Sequence, residues 1–171
     1  MPTLYLLIGG NQGDRTSLLQ QTTDLLRQRV GSVVCCSHIY ETAPWGQFDR
    51  DNVQSFLNMA VVVKTDHSAE DCLTICQQIE YELGRRRPAQ GNSLTRVYSS
   101  RPIDIDLIFY GDAVIDTPKL TIPHPRMHLR RFVLQPMCDI APYYNHPILN
   151  KTLTELLNEC TDTSSCLCCS L

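Results

Sequence analysis

Two carboxylates stand two residues apart in the segment "RPIDIDLIFYG", residues 101–111. On a β-strand, side chains at i and i+2 point the same way, so Asp104 and Asp106 are neighbours on one face. Ile103, Ile105, Leu107 and Phe109 then alternate on the other face, and Ile108 and Tyr110 follow the acids. Two like charges that close repel and resist desolvation unless a cation sits between them. A merely wet strand face predicts polar residues at 108 and 110, where the sequence has Ile and Tyr. Hard oxygen ligands without His or Cys at hand suit Mg²⁺, which takes its remaining ligands from phosphates and water. The surroundings supply phosphate-binding charge. Arg85, Arg86, Arg87, Arg96, Arg101, Lys119, Arg126, Arg130 and Arg131 are nine of the chain's 15 Lys and Arg, in a protein of net charge −3. Clustered guanidinium groups in an acidic protein point to a small polyanion as ligand. The overall charge argues against nucleic acid or an acidic membrane as partner.

Gln77 and Glu80 lie one helical turn apart and lead straight into the arginine loop. "TAPWG", residues 42–46, exposes backbone donors and acceptors beside Trp45, and Asn58 follows Phe56 on one strand face. Paired donors and acceptors between aromatic walls suit a planar heterocycle, although such residues are also common at a core edge. "GGNQGD" follows a strand but is neither a Walker sequence nor a dinucleotide fingerprint. His124 and His128 have i, i+4 spacing, but Pro123 and Pro125 keep His124 off a helix and argue against zinc. The nine cysteines are odd in number and irregularly spaced, which argues against a disulfide framework. Cys72 and Cys76 read as core. The tail "CTDTSSCLCCSL" fits a prenylation signal poorly and reads as a frayed, oxidisable terminus.

These groups need a scaffold, and the hydrophobic periodicity supplies one. Residues 3–9, 32–41, 56–65 and 101–111 read as strands; 17–30 and 69–84 read as helices, capped by Asp14 or Thr16 and by Ser68. A short strand near 113–116, helical turns up to 138 and a last helix over 152–159 follow. The order β-α-β-β-α-β is the ferredoxin-like α+β arrangement, an antiparallel sheet with helices on one face and the other free to bind. Long loops at 42–55 and 85–100 border that face. One domain spans residues 1–160, with a disordered Cys-rich tail at 161–171. The opening "MPTLYLLIGG" lacks a basic leader and reads as a first strand, which predicts a cytoplasmic protein.

The ordered set "GGN", "YETAPWG", "FLN", "QQIE" with "GRRR", "RPIDIDLIFYG", "LTIPHP" and "RRFVLQPMCDIAP" resembles the 6-hydroxymethyl-7,8-dihydropterin pyrophosphokinase family over nearly all of the chain to about residue 150. The resemblance implies the same fold and transfer of the β,γ-pyrophosphate of ATP to the pterin hydroxymethyl group, releasing AMP. It implies that Asp104 and Asp106 hold two Mg²⁺. Gln77, Glu80, Arg87, Tyr98, Arg101, Leu107, Lys119, Thr121, His124 and Arg130 would contact ATP, with Arg87 and Arg101 catalytic beside the two acids. Thr42, Pro44, Trp45 and Asn58 would hold the pterin edge, and Phe56 and Phe132 would stack on its faces. The sequence departs from the family in Ser99-Ser100 where Gly-Pro is usual, in Gly10 where Ser is frequent, in Pro125, and in a longer loop between Arg87 and Tyr98. The expected partners are ATP and the pterin, and the expected state is a monomer. Two other classes fit the fold. A regulatory module would bind Mg-ATP without chemistry. An RNA-binding domain would place aromatics on a basic sheet face, where this chain carries aspartates.

Overall fold

The computed structural model describes residues 1–45, 53–86 and 100–169. The chain begins with β1 (Thr3–Gly10) and α1 (Arg15–Arg29), whose first turn is capped by the Asp14 carboxylate accepting from the Ser17 N–H. β2 (Ser32–Cys36), β3 (Tyr40–Thr42) and β4 (Phe56–Lys64) follow. α2 (Ala69–Glu82) is capped by Ser68, and β5 (Asp104–Tyr110) carries the paired acids. Beyond it lie the two-stranded ribbon β6 (Ile115–Asp116) and β7 (Thr121–Ile122), a 3₁₀ turn at Met127–Leu129, α3 (Arg131–Ile140), α4 (Leu153–Glu159) and β8 (Cys166–Cys168). The Ile122–Pro123 peptide is cis.

The main sheet runs β5-β1-β4-β3-β8, with β2 also paired to β4, and every pairing is antiparallel. Its first four positions have the order that a β-α-β-β-α-β chain gives when each helix carries the chain across one strand. Three details differ from the sequence reading. The single strand expected over 32–41 is two strands on one edge of β4. At the break between them Ser37 stands in for the ladder, its N–H donating to the Ala60 carbonyl and its Oγ accepting from the Ala60 N–H. The tail expected to be disordered supplies β8, which extends the sheet beyond β3. The alternation of β5 also breaks. Leu6 faces Leu107 and Tyr5 faces Phe109, so Ile108 is an extra residue, a bulge. Ile108 and Phe109 therefore pack into one compartment and Tyr110 against the other, whereas strict alternation predicts Phe109 with Ile103, Ile105 and Leu107.

One face of the sheet is covered by α1 and α2. Leu4, Leu6 and Ile8, Leu57 to Val63 at every second position, and Ile103, Ile105 and Leu107 meet Leu19, Leu26, Cys72, Cys76 and Ile79 there. On the other face α3 and α4 lay Val133, Leu134, Met137, Leu153 and Leu156 over Leu7, Ala60, Ile108 and Phe109. That second pair of helices lies outside the β-α-β-β-α-β core and covers part of the face read as free. The binding surface is thereby confined to the strand ends that α3 leaves uncovered.

Candidate active site

Register brings the site residues into one row. Gly9 of β1 stands opposite Asn58 of β4 on one side and Asp104 of β5 on the other, and Asp106 stands opposite Leu7. The glycine makes the row possible. A Cβ at Gly9 would lie 2.1 Å from Asn58 Oδ1 and 2.7 Å from the Leu57 carbonyl oxygen. At Gly10 a Cβ would lie 2.0 Å from the Pro102 carbonyl oxygen, so the end of β1 presses directly on the segment that enters β5. Asn11, only 1% exposed, completes that junction. Its Oδ1 accepts from the Arg101 N–H at 2.8 Å, its own N–H donates to the Arg101 carbonyl at 3.0 Å, and its Nδ2 reaches Ser100 Oγ and the Gln54 carbonyl, each at 3.0 Å. One side chain thus joins the ends of β1, the segment before β4 and the segment before β5.

The row floors a cleft of about 500 Å³, its open mouth included, with Asp104, Asp106 and Arg101 at one end and Thr42, Trp45, Phe56, Asn58, Arg130 and Phe132 around the other. Arg85 reaches from beyond the end of α2 to the Asp104 carboxylate and to Glu80 Oε1, the latter at 2.6 Å. Glu80 is 2% exposed, and its Oε1 also accepts from the Ile105 N–H at 2.7 Å. This buried acid therefore fixes both β5 and Arg85. Arg101 Nε is buried 3.6 Å from Asp104 Oδ2, within ion-pair range, but has no hydrogen-bond partner among the described residues. Burial works against a charge on Asp104, but the Arg101 and Arg85 guanidinium groups outweigh it and hold the carboxyl below its ordinary range. Burial, and then the charge of Asp104, push Asp106 up to about 7. Adjacent acids, one held ionised and the other resisting ionisation beside it, form a donor set suited to a shared cation. Among the described residues no third His, Cys, Asp or Glu joins them. A divalent ion there would take its other ligands from beyond these two carboxylates, and an under-bonded guanidinium beside it suits a phosphate. The residues present fit Mg²⁺ bound with a polyphosphate.

At the other end, Asn58 Nδ2 donates to Thr42 Oγ1 at 2.7 Å, with both residues buried. The amide oxygen points toward Gly9, and the pair presents donors and acceptors along one edge. Arg130 Cζ lies 4.5 Å from the Trp45 ring centre and 5.6 Å from that of Phe132, and Arg101 Cζ lies 5.8 Å from the Phe56 ring centre. Guanidinium groups thus cover the aromatic faces that a flat ligand would use.

The structure brings Thr42, Trp45, Phe56, Asn58, Arg101, Asp104, Asp106, Arg130 and Phe132 to the cleft, with Glu80 behind them. Pro44 adjoins the lining between Ala43 and Trp45. Gln77, Lys119 and Thr121 are exposed outside the lining; Thr121 pairs with Asp116 in the ribbon. His124 donates its N–H to the carbonyl of the bulged Ile108, and its Nδ1 accepts from the Arg126 N–H. The Leu107 side chain packs into the α1–α2 core, turned away from the acids, so only its backbone is available to a ligand on the cleft side. Arg87 and Tyr98 lie outside the described residues. Sequence reasoning counted Arg85 only within the arginine run and gave the specific role to Arg87, two residues on. It passed over Asn11, visible only as the last letter of "GGN", and Arg15, which ties Glu41 to the Ser55 carbonyl across the base of the 42–55 loop.

Comparison with known proteins locates this arrangement. Residues 5–142 match the family model of 7,8-dihydro-6-hydroxymethylpterin-pyrophosphokinase. The chain is 40% identical over 148 residues to a protein of Porphyromonas gingivalis named 2-amino-4-hydroxy-6-hydroxymethyldihydropteridine pyrophosphokinase, covering 86% of this chain and 95% of that protein. A protein of the same name from Bacillus subtilis is 40% identical over 138 residues, 80% of this chain and 77% of that one. Among solved structures, a crystal structure of Plasmodium falciparum HPPK-DHPS with pteroate superposes with a TM-score of 0.71 over 92% of this chain at 19% identity. This chain spans 42% of that one, and the likeness concerns the fold.

Proposed function

Because the chain belongs to the 7,8-dihydro-6-hydroxymethylpterin-pyrophosphokinase family, we propose a division of labour within its cleft that performs that reaction. The enzyme transfers pyrophosphate from ATP to 6-hydroxymethyl-7,8-dihydropterin, giving the pterin diphosphate and AMP in folate biosynthesis. The observation that carries the site assignment is the single row Asp104–Gly9–Asn58. It sets a pair of acids ringed by arginine at one end of the cleft and an aromatic-walled amide edge at the other.

Asp104 and Asp106 would hold two Mg²⁺, whose charge would neutralise phosphate oxygens and make the β-phosphorus a better electrophile. Arg101 and Arg130 bear on the triphosphate from the two sides of the cleft, joined by Arg87 and Tyr98 from the 85–100 loop. Gln77, Lys119, Thr121 and His124 reach the nucleotide from the rim, and Leu107 meets it through its backbone. Arg85, held between Glu80 and Asp104, would add its charge to the phosphate end. Thr42, Pro44, Trp45 and Asn58 bind the pterin edge, and Phe56 and Phe132 take its faces in place of Arg101 and Arg130. The pterin hydroxyl oxygen attacks the β-phosphorus, the bond from that phosphorus to the bridging α–β oxygen breaks, AMP leaves, and the hydroxyl proton passes to water. Positioning and charge stabilisation supply the rate, as expected of a reaction with little covalent work for the protein. The described residues contain no helix long and apolar enough to cross a membrane. We place the enzyme in the cytoplasm as a monomer acting on small molecules.

The test separates the nucleotides after incubation with Mg-ATP and the pterin alcohol. AMP that forms only when the pterin is present supports the reading. ADP, or no pterin-dependent turnover, refutes it.

A further inference from the structure

We propose that the segment 161–166 is a positioning brace for the pterin end of the cleft, setting pterin affinity far more than that of ATP. This rests on the assignment of Thr42, Trp45, Asn58 and Phe132 to the pterin. Two separate walls form that end. One is the strand β3 with Ala43 to Trp45; the other is Arg130 to Phe132 at the start of α3. Distant in sequence, they are fastened to the same short segment.

Asp162 takes the second wall. Its Oδ2 accepts the Arg131 N–H at 3.0 Å, and its carbonyl accepts from Arg131 Nε at 2.9 Å. Arg131 lies between Arg130 and Phe132, so its backbone N–H sets where both side chains leave the chain. The Asp162 carboxyl is itself fixed by the Ser164 N–H and hydroxyl, both donating to Oδ1. It lies below its ordinary range, because these hydrogen bonds and Arg131 outweigh its burial. Three residues on, the Ser165 carbonyl accepts the Ala43 N–H at 3.1 Å, and β8 pairs Cys166 with Thr42 and Cys168 with Tyr40. Thr42 in turn holds Asn58. The brace thus reaches the pterin edge through Thr42 and the pterin face through Phe132. It makes no hydrogen bond or strand pairing to Asp104, Asp106, Arg85 or Arg101 among the described residues. The phosphate end has its own supports in Asn11 and Glu80.

Ligands at the two ends should therefore respond differently when the brace is cut. The experiment uses Asp162→Ala and a chain ending after Cys160, each beside the unaltered enzyme. Mg²⁺ with the α,β-methylene analogue of ATP is titrated first; 6-hydroxymethyl-7,8-dihydropterin is then titrated at saturating analogue, both by calorimetry. Loss of charge-assisted hydrogen bonds to one wall predicts that Asp162→Ala weakens pterin binding about tenfold. The shortened chain weakens it further, while the analogue, which meets only Arg130 of the braced walls, loses no more than about threefold. In turnover the pterin KM rises while kcat stays within about twofold, a split that general loss of structure does not produce. Equal loss of both ligands in Asp162→Ala, or unchanged pterin affinity in both variants, overturns the inference. Failure of the unaltered enzyme to bind the pterin overturns the functional reading, and the inference with it.

Discussion

The two faces of the central sheet are made by the same strands and do opposite things. On the α1–α2 face, Leu4, Leu6 and Ile8 of β1, Ile105 and Leu107 of β5, and Ile103 just before it are buried among apolar side chains. On the other face, the same strands turn Gly9, Asp104 and Asp106 into the cleft. A period of two lets each short segment be core and site at once, so the rigidity of one face sets the geometry of the other. Substituting adjacent residues at the start of β5 should then separate chemistry from stability.

The largest effect is expected at the acids. Asp104→Ala should lower pterin-dependent AMP release by about three orders of magnitude, as removal of a principal electrostatic group does, while its Tm falls by less than that of Ile103→Ala because losing the Arg85 and Arg101 pairs is set against relief of the repulsion from Asp106. One residue away, Ile103 is fully buried on the opposite face. Ile103→Ala should cost about 2–5 kcal/mol in urea unfolding and reduce activity only as far as the folded population falls. If Ile103→Ala abolished kcat in folded protein, the separation of faces would be wrong. Glu80 is where the comparison should blur, because it rises from a core helix yet holds Arg85 and the Ile105 N–H. Glu80→Gln should lose about 1.5–3 kcal/mol of stability, the range for a hydrogen bond to a charged group, and also lower the rate. A smaller signal comes from pH. Asp106 titrates near 7 in the folded protein without metal, against its ordinary 3.8. Across that window the folded chain keeps a proton that the unfolded chain has released, so this group makes stability fall as pH rises from about 4 to 7. Buried His146, shifted downward chiefly by burial, works in the opposite sense below its ordinary 6.5. The comparison is therefore the difference between unaltered protein and Asp106→Asn, in chelator. Tm of the unaltered protein should drop relative to the variant between pH 5 and 7, and Mg-ATP should remove the difference. The smallest effect is assigned to the exposed Arg29–Glu82 pair on the outer surface. Glu82→Gln should leave rate and Tm within error, despite a bidentate geometry of 2.7 and 2.8 Å.

Much of this architecture is legible in the sequence. The alternation of β1, β4 and β5 and the stripes of α1 and α2 are strong periodic signals, and Asp14 and Ser68 cap where their side chains predict. The acids are readable because two carboxylates side by side on an apolar strand are costly unless positive charge faces them. The rest depends on facts that local pattern does not carry. Ile108 and Phe109 are both apolar, so no letter marks the bulge between them. Nothing in "RRR" says which guanidinium turns back to Asp104. Asn11 acts through contacts with residues 43 and 89 positions away, and Cys166–Cys168 gains strand structure only because β3 offers an unpaired edge.

The bulge bears on how this strand tolerates length change. A chain shortened by one residue at 108 would still turn Asp104 and Asp106 to the cleft, Phe109 beneath α3 and Tyr110 toward α2, since only the supernumerary position is lost. What would disappear is the docking point where the Ile108 carbonyl takes the His124 N–H. Such a deletion would therefore preserve the strand's inside-outside logic and remove one of the ties that hold the segment from Pro123 to Arg126, making residue 108 an anchorage for a neighbouring loop rather than a spacer in the sheet.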